Sequence, residues 1–431
     1  MSGWREYLLM RQPKIITTLR NYSTKLFMAD VLAGITVAMV ALPLSLAIAI
    51  ASGADPARGL VTAIIGGFFI SLLGGSRVQI GGPTGAFIVV VFSVIAEHGY
   101  DGLVLATLMA GIILLVAGYF RAGNLIAFVP EVVVSGFTIG IGIIIAISQL
   151  KDFFGLSVEH LPADFLEKIP ALWQAKESLN FSAIMVAVLT LILIIGLRRM
   201  FPKFPGLIVA VGVGSIIAAY VGGMPVDTIA SRFGALPDHL PVPALPHITI
   251  DKIIELVPSA FVIAFLAAVE SLLSAMVADK MIEGKHRPNA EVTAQGVANI
   301  ASSLFGGMPV TGAIARTATN VKAGGKTPVA GIVHAATILL VMMVAAPIAG
   351  YLAMPALAAL LIITAWNMSE PEKWSVYLSQ PATDKALLLI TLVLTVVVDL
   401  SVAIGVGVAL GLAIRLRKRK RDPKPRHTLD A

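Results

Sequence analysis

The sequence contains no cysteine. Disulfides, zinc fingers, thiol nucleophiles and iron–sulfur clusters are therefore excluded. Charge is scarce as well: Asp, Glu, Lys and Arg make up 13% of 431 residues, against 57% hydrophobic. Soluble domains carry roughly 25% charged residues. This composition excludes an ordinary water-soluble domain and a disordered chain. No H-E-x-x-H pair and no G-x-S-x-G elbow occurs, so an intramembrane enzyme is not expected. The first 28 residues hold five Lys/Arg (Arg5, Arg11, Lys14, Arg20, Lys25) but lack the continuous apolar run of a signal peptide. No cofactor and no bound metal are expected beyond a coupling ion.

Apolar runs fill most of the chain. A membrane span needs about 20 mostly apolar residues. Long runs occupy 29–52, 58–74, 102–120, 131–150, 180–200 and 204–222, then 252–277, 291–305, 327–350, 353–367, 384–399 and 401–416. Two shorter segments, 84–97 and 312–322, are entered through Val78-Gln79-Ile80-Gly81-Gly82-Pro83 and Gly306-Gly307-Met308-Pro309-Val310. The expectation is an all-α polytopic membrane protein of fourteen segments, seven before residue 225 and seven after. The domains follow: a cytoplasmic N-terminus (1–28), a first set of spans (29–222), an extracytoplasmic linker (223–251), a second set (252–416) and a basic cytoplasmic tail (417–431). With both termini placed inside, 25 of the 32 Lys/Arg fall on the cytoplasmic side and six outside. That split follows the positive-inside rule. It also accounts for the net charge of +7 without a nucleic-acid partner; the lipid bilayer is the expected partner.

The two sets repeat. Ser71-Leu72-Leu73-Gly74-Gly75 followed by Pro83-Thr84-Gly85-Ala86-Phe87 resembles Ser303-Leu304-Phe305-Gly306-Gly307 followed by Val310-Thr311-Gly312-Ala313-Ile314. An odd number of spans per set puts the sets in opposite orientation, the inverted-repeat logic of secondary transporters. The third and tenth segments read as half-helices that start near the midplane, where broken backbone needs protein or a water-filled cavity beside it. Their positive ends would face each other across Thr84-Gly85-Ala86 and Thr311-Gly312-Ala313 and form an anion site. Gly/Pro pairs also kink ordinary membrane helices. Their occurrence at matching places in both halves favours the paired reading.

Arg316 lies one turn into the tenth segment, where a cation is expensive and usually functional. It either lends positive potential to the anion or pairs with a carboxylate. Glu270 and Ser274 share a helix face in the span 252–277. They form a proton relay or, with Gly312, part of a sodium site; the alternative is a neutral or Arg-paired Glu270 that only packs the bundle. Pro43 should kink the first span. Beside a cavity that kink would aim Leu44, Ser45 and Ile48 at a substrate; an ordinary proline kink explains Pro43 equally well. Glu131 and Asp399 read as span-end charges, and His98 and His334 as packing or interface residues. The segment from Leu161 to Lys176 reads as an amphipathic stretch at the outer interface.

Several of these runs are similar to one family. Asp30 to Phe87, Val129-Pro130-Glu131-Val132-Val133-Val134-Ser135-Gly136-Phe137, Val269-Glu270-Ser271-Leu272-Leu273, Ala294-Gln295-Gly296-Val297-Ala298-Asn299, Ala315-Arg316-Thr317-Ala318-Thr319-Asn320 and Gly324-Gly325-Lys326-Thr327-Pro328 resemble the sulfate permease (SulP) family, solute-carrier family 26. The resemblance implies a seven-plus-seven inverted repeat with a core of spans 1–4 and 8–11 and a gate of spans 5–7 and 12–14. It implies elevator-like transport of sulfate, bicarbonate, chloride or dicarboxylates in a cell inner membrane, by a chain that could form homodimers. Thr84 and Ala313 match family positions near the anion, with Gly85, Ala86, Phe87, Thr311 and Gly312 beside them, and Arg316 matches the family's arginine. Glu270 and Ser274 match positions where sodium-coupled bicarbonate members resemble Asp and Thr; the Glu-for-Asp change favours protons. Leu44 stands where many members have glutamine. Most members continue into a STAS domain, which the 15 residues 417–431 cannot contain. Competing expectations are an uncoupled anion channel or exchanger and a nucleobase permease of the same fold.

Overall fold

The computed structural model describes residues 12–121, 123, 130–158, 161–162, 164–201, 205–220, 225–398 and 400–421. Asp399 and the last ten residues of the basic tail lie outside the described residues. Helix α1 (Thr24–Ala51) begins at Ser23, whose hydroxyl accepts from the Leu26 N–H at 3.3 Å, and carries Pro43 inside it. Helix α2 (Pro56–Leu73) starts on the Asp55 cap with proline at the first position, and contains one wide turn, Thr62–Gly66. After strand β1 (Gly81–Gly82) comes α3 (Gly85–Tyr119), broken at Gly99 with φ +70°. A side chain there would be strained, so the glycine divides the half-helix from the next segment.

The remaining longer helices are α4 (Glu131–Phe154), α5 (Phe165–Gln174), α6 (Phe181–Met200), α7 (Gly206–Tyr220), α8 (Ile250–Ile282) and α9 (Pro288–Leu304). After β2 (Thr311–Gly312) come α10 (Ile314–Lys322), α11 (Val329–Ala349), α12 (Met354–Met368), α13 (Ala382–Val397) and α14 (Leu400–Arg421). Each expected segment has described residues on one of these helices. Among the described residues, seven helices are long and apolar enough to cross a membrane. Leu32, Ile192 and Leu340 are exposed on their surfaces, as on helices that face lipid rather than water.

Packing sorts the helices into two groups. Helices α1–α3 pack chiefly with α8–α11, and α4 and α6 with α12 and, for α4, α13; α7 packs on α6 and touches both α1 and α12. This is the grouping expected of core and gate. The first group closes tightly where α3 crosses α9. A Cβ on Gly111 would stand 2.8 Å from the Gly296 carbonyl oxygen, and one on Gly296 would stand 2.9 Å from that of Gly111. Small residues of this kind let membrane helices approach backbone to backbone. Gly111→Ala should therefore cost about 1–3 kcal/mol of overpacking strain. Gly212→Ala in α7, where a Cβ meets nothing within 4 Å, should leave stability level or raise it. Thermal midpoints of the two detergent-purified variants check this pair; equal shifts would contradict the contact.

One hydrogen-bonded tie fixes the start of α1. The buried Asp30 carboxylate accepts from the Lys326 N–H (2.7 Å), the Thr327 N–H (3.0 Å), the Thr327 hydroxyl (2.6 Å) and the Tyr22 hydroxyl (3.0 Å). The turn Gly324 to Pro328 is thus held against the other repeat.

Candidate functional site

The two interrupted segments meet as a sheet of four residues. β1 and β2 pair antiparallel, Gly81 opposite Gly312 and Gly82 opposite Thr311. The Ala313 N–H adds a bond to the Ile80 carbonyl at 2.8 Å. The chain is helical as expected, and the breaks, expected to rest against protein or a water-filled cavity, rest on each other. The pairing has a simple cause: backbone groups stranded far from water must find partners, and each broken segment supplies the other's. Glycine is required at the crossing. A Cβ on Gly82 would fall on the Arg316 guanidinium, and one on Gly312 on the Gln79 amide.

The pairing brings the half-helix starts together. Thr84 precedes the tight first turn Gly85–Phe87 of α3, and Ala313 precedes α10. Thr84 and Glu270 are half-buried, and Ile314 is 43% exposed, so the locus is open rather than sealed. Ala86, Phe87 and Ala313 are buried. Gly85 sits at the seam between the two helix groups. A Cβ there would stand 2.9 Å from Met368 Sδ of α12 and 3.6 Å from Ile145 Cδ1 of α4.

Two charged side chains converge on one dipeptide. Arg316, 1% exposed, donates from Nη2 to the Pro83 carbonyl and to Ser45 Oγ, each at 3.1 Å. Its Nε and Nη1 have no hydrogen-bond partner, and it forms no ion pair, among the described residues. Of the two roles open to Arg316, pairing with a carboxylate is thereby ruled out among the described residues. The next residue, Thr84, donates its hydroxyl to Glu270 Oε2 at 2.8 Å. Pro83 and Thr84 therefore link a cation to a carboxylate across the start of the half-helix.

Other candidates are placed differently. Thr311 was expected to offer a hydroxyl to an anion, but it is buried and donates to the Ala267 carbonyl at 2.8 Å. That bond anchors β2 to α8. Ser274 donates to Thr317 Oγ1 at 3.2 Å. Glu270 and Ser274 thus bond to Thr84 and Thr317 respectively, two separate partners. Of the first-span residues only Ser45 reaches the site, through Arg316. Ile48 is buried in the apolar core, and half-buried Leu44 packs against that core. His98 lies 3.4 Å from Glu255 and 3.7 Å from Glu97. Buried His334 has neither ring nitrogen bonded among the described residues, and Glu131 lies 3.6 Å from Lys373.

Behind the sheet lies a polar network that sequence reading missed. Buried Glu291 accepts at Oε2 from the Gly75 N–H (2.8 Å) and the Ser76 N–H (3.1 Å). Its Oε1 accepts from Gln79 (3.0 Å), Ser271 (2.9 Å) and Gln295 (2.9 Å). Five donors on one carboxylate hold the unwound chain between α2 and β1. Asn299 bonds both the N–H and the carbonyl of Val310, and Asn320 bonds the Val78 carbonyl. Glu291, Gln295 and Asn299 recur every four residues on α9. A polar stripe in so apolar a chain is the signal that could have found them.

The model of the sulfate permease family matches residues 27–391. A Bacillus subtilis (strain 168) protein, YvdB, whose name assigns it provisionally to sulfate transport, is 42% identical over 86% of this chain and 70% of its own length. The bicarbonate transporter BicA of Picosynechococcus sp. is 32% identical over 77% of this chain and 60% of its own, so the chain spans well under two thirds of that relative. The solved transmembrane domain of a cyanobacterial BicA superposes with a TM-score of 0.80 at 30% identity, over 89% of this chain and 98% of that one. The structure of SLC26A9 superposes with a TM-score of 0.86 over 97% of this chain and 70% of that one; at 17% identity it speaks for the fold alone.

Proposed function

The chain belongs to the sulfate permease family, and from this premise we propose that it is a secondary active transporter that couples entry of a small anion to a cation bound at Glu270. Membership makes it a multi-pass membrane transporter of anions rather than an enzyme. Bicarbonate and sulfate are the candidate substrates, after the names borne by BicA and YvdB. The observation that carries the reading is the Thr84–Glu270 hydrogen bond beside the Arg316–Pro83 bond.

The anion sits between the starts of α3 and α10. It takes N–H groups of Gly85 and Ala86 and the unpartnered nitrogens of Arg316. Helix N-termini favour negative charge, and Arg316 has hydrogen-bond capacity left for a planar oxyanion. Glu270 opposes that binding while it is ionised, because like charges at close range repel strongly in a low dielectric. A cation on Glu270 removes the repulsion. The Thr84 hydroxyl can then turn from the carboxylate to the anion. Co-binding follows from electrostatics alone, without a separate conformational signal.

A proton fits this arrangement better than sodium. A sodium ion needs several oxygens at once, whereas the Glu270 and Ser274 side chains are turned to two different partners. Movement of the core group against the gate group, with its seam at Gly85, carries the locus from one side to the other. Fourteen crossings with both termini inside complete this reading. Uptake of labelled bicarbonate, sulfate and dicarboxylates into proteoliposomes at two pH values, with and without sodium, tests it. Saturable uptake that rises at the lower external pH, indifferent to sodium, is the expected result. Currents proportional to voltage without saturation would identify a channel instead. Competition by uracil and not by anions would identify a nucleobase permease.

A further inference from the structure

Helix α5 is turned inside out for a water-soluble surface. Leu166, Ile169 and Trp173 point outward, 54%, 48% and 69% exposed, while Lys168 on the opposite face is 4% exposed. An outward apolar stripe suits a helix lying in the lipid interface. Its lysine is then aimed into the protein. There Lys168 lines a cavity of about 890 Å3 that also reaches Phe92, Ser93 and Ile88 on the half-helix of α3. Ile88, which lines this cavity, is one residue beyond Phe87 of the candidate site.

The other charges of this cavity are accounted for. Arg232 is held by Asp152 at 2.7 Å and Asp227 at 2.9 Å. Lys151 donates to the Val158 carbonyl. Asp164 caps its own helix, accepting from the Leu166 N–H at 2.7 Å. Glu97 accepts from Ser93 at 3.0 Å and lies 3.7 Å from His98. Lys168 alone keeps an ammonium with no hydrogen bond and no ion pair among the described residues; it rests 5.1 Å above the Phe92 ring. Burial lowers its pKa, and the Asp164 charge opposes that shift. A cation withdrawn from water without a counter-charge is costly. A ring face offsets part of that cost, and a mobile anion can offset more.

We propose that Lys168 is an anion-capture site in this vestibule, where a small inorganic anion is held against the Phe92-backed ammonium before it descends to Arg316. The inference builds on the transport reading but makes a separate claim, that the cavity concentrates anions. It needs a probe that works without transport. The absence of cysteine provides one, since Ser93→Cys then carries the only thiol in the chain.

The experiment compares labelling of Ser93→Cys by an anionic and a cationic methanethiosulfonate, with Lys168 present and with Lys168→Gln. With lysine, the anionic reagent should gain on the cationic one. The glutamine variant should lower the rate ratio about fivefold, because one charge in a low-dielectric cleft strongly focuses the local potential. Lys168→Arg should keep the ratio, and added salt should shrink the difference. In uptake assays, Lys168→Gln should raise the external half-saturation concentration several-fold. A ratio unmoved by Lys168→Gln overturns the proposal. A ratio that falls as expected, in a protein that carries no anion in any assay, supports the capture site and overturns the transport reading instead.

Discussion

Replacing Arg316 with glutamine is expected to raise the anion concentration for half-maximal uptake about 100-fold, roughly 2.7 kcal/mol of binding. That figure sits at the low end for deleting one member of a buried charge pair. Glutamine ends near the position of the arginine Nε, so it gives up the two bonds that Nη2 makes to the Pro83 carbonyl and Ser45. It also loses the charge, together with the planar fork whose Nε and Nη1 are unpartnered. Arg316→Lys separates these two losses. It keeps the charge without the fork, so its defect should fall between glutamine and wild type. Thermal midpoints of the purified variants distinguish a binding defect from a folding defect. Wild-type half-saturation in a folded Arg316→Gln protein would remove Arg316 from the anion site.

The second large effect is on coupling. Glu270→Gln should abolish accumulation driven by a pH gradient while leaving anion exchange intact. One pH unit is worth 1.36 kcal/mol, a factor of ten. At one proton per anion, wild type should therefore accumulate about tenfold per pH unit, and the glutamine variant not at all. Glutamine is nearly isosteric, and its carbonyl can still accept from Thr84, whose hydroxyl lies 2.8 Å from Glu270 Oε2. It resembles the protonated acid, so the variant should bind anion well at high pH, where the wild type weakens. Thr84→Val should weaken anion binding and leave pH-driven accumulation in place at saturating anion. The two variants thus read two sides of one hydrogen bond.

How far the sequence carried the fold depends on the physics of each part. The apolar runs lie close to the helices because length and hydropathy decide a span locally. The half-helices were legible for the same reason, through glycine and proline runs at matching places in the two repeats. The pairing of β1 with β2 was not. It joins residues 231 apart in the case of Gly81 and Gly312, and no local pattern announces a two-residue strand. Site residues divide along the same line. Glu270 and Arg316 stand out as lone charges in apolar segments. Their meeting on Pro83 and Thr84 is a property of the crossing.

The misplaced expectations share one cause. Thr311 was read as an anion donor by analogy with Thr84, yet α8 passes behind β2 and takes its hydroxyl at Ala267. The repeats are equivalent in sequence but not in neighbours. Glu291 escaped notice because its partners, the Gly75 and Ser76 amides and the Gln79 side chain, lie more than 200 residues away. An inward-facing lysine on α5 is likewise invisible until the helix's lipid-facing side is known.

The anion and a cation on Glu270 should move together. The most direct test follows lumenal pH and anion uptake at once, in sodium-free proteoliposomes, using a non-volatile anion chosen from the uptake screen. The account predicts that anion entry acidifies the lumen in step with uptake, and that Glu270→Gln admits anion by exchange without acidification. Wild-type anion entry with lumenal pH unchanged would contradict it.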